Sequence, residues 1–356
     1  MSPLEAWELV LVKGSFLNST HGALGCTACH LGNPQATDKE AAHEGLVAMP
    51  SDSVDHFCGS CHADIVVNHK NSLHTNLKGY YTQIEKRLGY DISGDPSVVR
   101  NFNKECAKCH ASCGQCHVTR PVSVNGGFID GHNFNKEPNS KDNCTACHGS
   151  RVGAEYFGEN EGIPGDVHWY SQLMHCSACH TADAMHGSSA TAKNRYTDTD
   201  MVRCEDCHAD KKTANTFHSM HWGQLSCQVC HSQPYKNCNS CHTGGEGITG
   251  SSYITFKIAK NPIKSPERNY EYVPVRHVPI ARNTFASWGI SDLPNYNAEP
   301  TWKYATPHNI QRWTAQTDTT GSAWCGAKCH NSDYWLTLED LAPDEVEANK
   351  DIVLTK

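Results

Sequence analysis

The chain has 356 residues and a formal net charge of −8, and Leu, Ile, Val and Phe together make up less than a fifth of it. So small an aliphatic share is typical of disordered chains when charge is high, but only 19% of the residues are charged, which argues against that class. Twenty cysteines and 23 histidines are many for this length, so something other than aliphatic side chains is expected to fill the interior.

The first segment, residues 1–16, contains an apolar stretch that is interrupted by Glu5 and Glu8. These carboxylates, and the lack of a small-residue cleavage site, predict that the segment is not a signal peptide and that the numbering is that of a mature chain. No run of 18 apolar residues occurs anywhere in the sequence, so no membrane span is predicted. The negative net charge predicts no nucleic-acid partner and favours basic protein partners.

All twenty cysteines occur in pairs, and a histidine directly follows each pair. Nine pairs have the spacing C-x-x-C-H, and the tenth, C-G-A-K-C-H, has one extra residue. This pattern is the attachment signature of c-type haem, because two thiols at this spacing bond one porphyrin and the next residue places an imidazole at its iron. The predicted attachment residues are Cys26, Cys29, Cys58, Cys61, Cys106, Cys109, Cys113, Cys116, Cys144, Cys147, Cys176, Cys179, Cys204, Cys207, Cys227, Cys230, Cys238, Cys241, Cys325 and Cys329. The predicted proximal iron ligands are His30, His62, His110, His117, His148, His180, His208, His231, His242 and His330.

Three other uses of paired cysteines fit this pattern poorly. A disulfide framework gives no reason for a histidine after every pair, zinc ribbons do not require one, and thioredoxin-like motifs occur singly. We therefore predict ten covalently bound haem c groups that take the place of a conventional core. The predicted fold is a haem-cored multihaem cytochrome c fold of loops and short helices, and the chain without haem is expected to be unfolded.

Thirteen histidines remain after the ten in the motifs, enough to give every iron a second imidazole. Such bis-histidine ligation gives iron of low potential with no open position. The predicted distal ligands are His21, His43, His74, His132, His168, His186, His218, His221, His277 and His308. His218 and His221 are expected on one helical turn that serves two haems. His56, His69 and His175 are left over and are expected to be exposed or to contact haem propionates.

Residues 243–324 contain no haem motif and have a different pattern. The run GSSYITFKIAK alternates apolar and polar side chains and predicts a strand. The run NYEYVPVRHVPI predicts a second strand, at an edge because of Pro274 and Pro279. The predicted organisation is a nine-haem wrapping region at 1–242, a segment with a β hairpin that supplies distal histidines at 243–324, and a tenth haem site with a C-terminal helix at 325–356. These three are expected to form one continuous unit.

Several phrases between the motifs resemble multihaem c-type cytochromes of metal-reducing and related anaerobic bacteria, which serve extracellular electron transfer. The segments are HGALGCTACH, AAHEGL, DVHWYSQLMHCSACHTADAMHG, HWGQLSCQVCHSQPYKNCNSCH, PVRHVPI, ATPHNIQ and CHNSDYWLTLEDL. Some of these cytochromes look like building blocks of filaments in which the haem chain runs unbroken between subunits. Part of the phrasing is also similar to octahaem reductases and hydroxylamine-oxidoreductase relatives, but the C-x-x-C-K motif of catalytic members does not occur here.

The resemblance implies electron transfer through closely packed haems, at the cell surface or outside the cell, with the periplasm as an alternative. The expected partners are other copies of this chain in a head-to-tail polymer, other redox proteins and extracellular acceptors. The alternatives are a reductase of nitrogen or sulfur oxyanions and a soluble periplasmic shuttle, although we expect no enzymatic activity. His21 follows an apolar stretch, so ligation in a neighbouring subunit is an alternative to ligation within its own chain.

Overall fold

The computed structural model describes residues 4–109, 111–187, 194, 196–197, 200–234, 256–318, 329–330 and 334–354. The chain divides into two compact units, and it passes from one to the other five times. The first unit comprises Met1–Leu77, Glu105–His148 and His175–Ala192, and the second comprises Lys78–Lys104, Gly149–Met174 and Lys193–Lys356. The predicted region 1–242 is therefore distributed over both units, whereas residues 243–356 belong to the second.

The helices are short, and 3-10 and π turns lie between them. None that the structure describes has the length and apolar character needed to cross a bilayer. The α-helices are Gly14–Leu17, Thr27–His30, Lys39–Ala42, Val54–Phe57, Ala63–His69, Leu73–Asn76, Lys78–Leu88, Pro96–Glu105, Cys113–His117, Thr145–His148, Ala154–Tyr156, Val167–Gln172, Ala182–His186, Glu205–His208, Thr216–His221, Cys227–His231 and Val346–Asn349.

Local capping explains why the helices that carry candidate distal histidines begin and end where they do. At each N-cap a side-chain oxygen accepts a hydrogen bond from a backbone N–H of the first turn, which satisfies a donor that has no partner within the helix. These N-cap residues are Ser72, Asp166, Thr181 and Asn215. At the other end Leu77 and Leu173 have φ angles of 53° and 52°, a left-handed conformation that stops the helix.

Three antiparallel strands form the sheet of the second unit in the order β1 (Lys257–Lys260), β2 (Tyr272–His277) and β3 (Trp302–Tyr304). The predicted small β element is thereby confirmed. The predicted edge position of the second strand is wrong, because β2 is central. Pro274 lies opposite Ala305, one residue beyond the end of β3, so the N–H that proline lacks is missing only at the margin of the ladder. The Pro274 carbonyl still accepts a 2.9 Å hydrogen bond from the Ala305 N–H.

The C-terminal segment packs against this sheet and completes an apolar core. The Leu336 N–H donates to the Ile258 carbonyl at 2.8 Å, and the Lys260 N–H donates to the Ile352 carbonyl at 3.0 Å. The core cluster consists of Ala259, Val273, Val275, Trp302, Tyr304, Leu336, Ile352 and Val353. The predicted terminal helix exists as the short helix Val346–Asn349. The expectation that haem takes the place of a conventional core is therefore wrong for this part of the second unit.

Candidate haem-binding sites

The cysteine pairs that the structure describes in full lie at short helical turns, and no disulfide joins the cysteines of the described residues. The same part of the chain contains no cluster of three or more His, Cys, Asp or Glu side chains placed to hold a metal ion. Five predicted site residues lie outside the described ranges, namely His110, Cys238, Cys241, His242 and Cys325.

Within the described ranges, seven ring pairs bring a motif histidine against a predicted distal histidine. In the first unit the ring centroids are 6.2 Å apart for His62 and His21, 5.8 Å for His30 and His132, 6.1 Å for His148 and His74, and 6.1 Å for His117 and His186. In the second unit they are 6.0 Å apart for His208 and His168, 6.1 Å for His231 and His218, and 6.5 Å for His330 and His221.

These separations fit a haem iron between two imidazoles. A metal–imidazole bond is about 2 Å long and the ring nitrogen lies about 1 Å from the ring centre, so two rings on one iron have centroids about 6 Å apart. Directly stacked rings also occur within about 4.5–7 Å, so the distance alone does not identify the site. The composition of the pairs is more specific, because each consists of one motif histidine and one histidine of the predicted distal set.

Hydrogen bonds at the far side of the rings orient several of these imidazoles. A carbonyl oxygen can only accept, so a ring Nδ1 within hydrogen-bond distance of a carbonyl must carry the proton. This leaves Nε2 as the nitrogen that can bind a metal. The Nδ1 contacts of this kind are His30 to Val47 O at 2.7 Å, His117 to Asn135 O at 2.7 Å, His218 to Lys211 O at 2.8 Å, His221 to Phe217 O at 2.9 Å and His231 to Gln311 O at 3.1 Å.

His168 has a carboxylate in the corresponding position. Its Nδ1 lies 2.7 Å from Oδ1 of Asp166, which is buried. This hydrogen bond raises the pKa of His168 above its ordinary value, although burial of the ring acts in the opposite direction. Sequence reasoning singled out His168 but missed Asp166. The available signal was an acidic N-cap residue two positions before a helical histidine.

Burial lowers the pKa of several other imidazoles and so favours the neutral ring that binds iron. Removal from water disfavours the charged ring and lowers the pKa, and a metal ligand must be the neutral form. The histidines whose pKa is lowered mainly by burial are His21, His74, His132, His180, His186 and His231.

The helix Thr216–His221 carries two histidines that face different motifs. His218 pairs with His231 and His221 pairs with His330, so one turn of helix serves two candidate sites. Side chains three residues apart lie on neighbouring positions of a helix surface, and the two rings can therefore diverge to separate partners. The helical turn is the one predicted from the H-x-x-H spacing, and its service to two haems stays a prediction.

Thiol contacts bring together motifs that are not always adjacent in the sequence. A side-chain hydrogen bond lowers the pKa of one thiol in each of three pairs and raises that of the other, because the acceptor is stabilised as thiolate and the donor as thiol. The thiol with the lowered pKa comes first in each pair, and the pairs are Cys113 with Cys58, Cys176 with Cys144 and Cys204 with Cys227. These contacts place the second motif beside the fourth, the fifth beside the sixth and the seventh beside the eighth.

Three predicted distal ligands are not placed against a motif histidine of the described residues. His43 is exposed at the C-terminal end of helix Lys39–Ala42. His308 has its Nδ1 2.9 Å from the Thr306 carbonyl, the same orientation that several paired rings have. His277 has its Nε2 2.6 Å from Oε1 of Glu345 and its ring 5.2 Å from that of Trp302, so its ligation of a haem stays a prediction.

The histidines left over by the sequence have other contacts. His69 is only 8% exposed, and its Nδ1 lies 3.0 Å from the Thr75 hydroxyl, so the expectation of an exposed ring is wrong for it and contact with a propionate stays a prediction. His56 packs edge-on against Phe57, and His175 Nδ1 lies 3.3 Å from the Ser140 hydroxyl.

His21 has its partners within its own chain. Its ring lies 6.2 Å from that of His62 and stacks on Phe134 at 4.0 Å. The stacking on Phe134 is another contact that sequence reasoning missed.

Among solved structures, the chain is similar to the octahaem cytochrome c from Shewanella oneidensis, with a TM-score of 0.42 and 14% sequence identity over 75% of this chain and 90% of that one. No protein-family model and no curated protein matches the chain. At this TM-score the similarity carries no argument about fold or function. The case for haem binding therefore depends on the chain's own residues.

Proposed function

We propose that the chain binds ten haem c groups covalently and transfers electrons among them. The observation that carries this proposal is the set of ring pairs, each of which joins a motif histidine to a predicted distal histidine at about the separation that one iron requires. Random packing of the described histidines would not be expected to place one member of each set in every one of these pairs.

The chain's residues have separate tasks in this proposal. When bound, haem supplies one-electron iron chemistry. The cysteine pairs anchor the porphyrin, the motif histidines bind one side of the iron, and the paired distal histidines close the other side. Backbone carbonyls behind five of these rings hold the imidazole in one tautomer and one orientation. The capped helices keep the distal rings at a fixed distance from the motifs.

Contacts between motifs support transfer among sites. The hydrogen bonds of Cys58 with Cys113 and of Cys144 with Cys176 bring attachment points of different motifs to within hydrogen-bond distance. Groups anchored at such points are close neighbours, because a thioether holds the porphyrin edge at the cysteine. Motifs three and four are separated by only two residues, which has the same consequence.

For the cellular setting we propose export, to the cell surface or the exterior, with the periplasm as the alternative. The basis is the resemblance to extracellular electron-transfer cytochromes and the attachment of haem c after export. A head-to-tail contact between copies that does not close would produce a filament. Electron microscopy of the purified haem-loaded protein tests this directly, since single particles at all concentrations would contradict the polymer and leave a soluble shuttle.

A reductase of nitrogen or sulfur oxyanions is the second candidate. It requires one iron with an open position. His43 and His277 are predicted distal ligands for which the structure gives no motif partner among the described residues. A ferric high-spin signal of about one spin per chain in electron paramagnetic resonance would favour the reductase, whereas a fully low-spin spectrum would favour pure electron transfer.

Ligation is tested by a pair of substitutions in neighbouring histidines. His74 pairs with His148, whereas His69, five residues earlier, is hydrogen-bonded to Thr75. We expect His74→Ala to convert about one haem of ten from low-spin to high-spin and His69→Ala to convert none, as measured by electron paramagnetic resonance on samples whose haem content is known from intact mass. Conversion in both variants or in neither would contradict the assigned pairing, and an intact mass without ten haems would contradict the proposal itself.

A further inference from the structure

Asp166 lies behind the ring pair of His168 and His208 in the second unit. Its Oδ1 is 2.7 Å from His168 Nδ1 and 2.9 Å from the backbone N of His168, and its Oδ2 accepts a 2.9 Å hydrogen bond from the backbone N–H of Ile310. Only 2% of Asp166 is exposed. A carboxylate held by three hydrogen bonds and shielded from water is a fixed negative charge next to the imidazole.

Several other paired rings have a neutral acceptor in this place. His218 and His231, which form the ring pair of the next motif, donate to the backbone carbonyls of Lys211 and Gln311. A carbonyl is a dipole, whereas a carboxylate has a full charge and makes a stronger, charge-assisted hydrogen bond. His168 is therefore the more electron-rich ligand, because its Nδ1 proton is drawn toward Asp166.

We propose that Asp166 lowers the reduction potential of the haem at Cys204 and Cys207 below that of the haem at Cys227 and Cys230. This inference rests on the proposed function. A nearby negative charge and a more basic ligand both stabilise ferric over ferrous iron.

The two motifs are neighbours, so the difference in reduction potential between their haems sets a preferred direction of electron transfer. The sulfur atoms of Cys204 and Cys227 lie within reach of one another, so the attachment points of the two haems are adjacent. An electron shared between these neighbours favours the site of His218 and His231. Asp166 is thus a positioning residue that biases electron flow away from the His168 site.

The test is Asp166→Asn, which removes the charge and keeps a side-chain oxygen for the helix N-cap. We expect the equilibrium constant for reduction of this haem to rise by about tenfold or more, about 59 mV for a one-electron couple. The measurement is a redox titration of the haem-loaded protein followed by electron paramagnetic resonance. The relevant ferric signal is identified as the one that becomes high-spin in His168→Ala.

Asp95→Asn is the matched control. Asp95 caps the helix Pro96–Glu105 in the same unit by accepting hydrogen bonds from Ser97 N and Val98 N, and that helix carries no histidine. The same loss of charge at the same kind of cap should leave the potential of the His168 haem unchanged. An unshifted potential in Asp166→Asn, or equal shifts in both variants, would overturn the inference.

A measurement on the unsubstituted protein covers the case in which Asp166→Asn fails to fold. A ferric haem with a strongly donating imidazole is harder to reduce, so its porphyrin-to-iron charge-transfer band in the near infrared lies at higher energy than those of the other haems. Magnetic circular dichroism should resolve one such band that His168→Ala removes. Absence of that band, with a low-spin haem present, overturns the role of Asp166 and leaves the proposed function intact. Absence of haem at Cys204 and Cys207 by peptide mass overturns both.

Discussion

The two units of the chain differ in how many apolar side chains they bury. The first unit carries the motifs from Cys26 to His180, and its buried apolar side chains within the described ranges are Phe16, Val66, Leu77 and Val118. The second carries the motifs from Cys204 to His330 on a longer stretch of chain and has a three-stranded sheet with an apolar core. Where motifs are dense, aliphatic side chains are scarce, which is the pattern expected if bound haem contributes the missing interior.

The second unit also has a charged cluster that the first does not show in the described residues. Arg87 donates to the backbone carbonyls of Tyr296 and Glu299, and the Glu299 carboxylate bonds both Lys86 and Lys303. This cluster ties helix Lys78–Leu88 to the segment that leads into β3. Ordinary packing and ion pairing therefore hold this region in addition to any haem.

Withholding haem should produce the largest difference between the units. When the chain is made without haem attachment, we expect proteolytic sites in the first unit to be cut about tenfold or more faster than those between residues 256 and 354, because haem binding supplies folding free energy mainly where no apolar core exists. The measurement is limited proteolysis followed by mass spectrometry. The haem-loaded protein is the control, and equal cleavage of both units without haem would break the comparison.

Opening a cavity in the core tests whether the sheet is stable in its own right. Leu336 is fully buried in the core cluster, so Leu336→Ala should lower the free energy of unfolding of the second unit by about 2–5 kcal/mol. Leu338 is 53% exposed, and Leu338→Ala should change it by less than about 0.5 kcal/mol. Hydrogen exchange of peptides from β1 and β2 reports the loss. Equal acceleration in peptides of the first unit would mean that the two units unfold together.

A smaller effect is expected from pH through Lys303. Burial lowers the pKa of Lys303 to about 8, although the adjacent Glu299 carboxylate opposes the shift. Between pH 8 and the ordinary lysine pKa of 10.5 the unfolded chain binds more protons than the native chain, so the free energy of unfolding should rise with pH, by on the order of 1–3 kcal/mol.

The variant Lys303→Met should lose this rise, and the exposed Lys350→Met should keep it. Urea unfolding of the second unit at pH 8 and pH 10 gives the difference. A rise of the same size in both variants would show that Lys303 is not its source.

Local spacing in the sequence was enough to predict some features of this chain. The spacing of each cysteine pair and its histidine is set by covalent chemistry, so it can be recognised without a fold. The strands around Ile258 and Val273 were predicted from their sequence runs, and the helical turn of His218 and His221 was predicted from their spacing. The capping residues Ser72 and Asn215 were equally visible as local signals, since a cap acts within three residues.

Only the tertiary structure decided which histidines face each other. His21 lies beside His62 rather than beside the motif that directly follows it, and His74 faces His148, far along the chain. The contact of His277 Nε2 with Glu345 is likewise made by the C-terminal segment, far along the chain. The central position of β2 likewise depended on Trp302 and Lys303 returning to pair with it. Such pairings join residues that are distant in sequence, so they depend on the path of the whole chain, whereas motif spacing and capping depend only on neighbours.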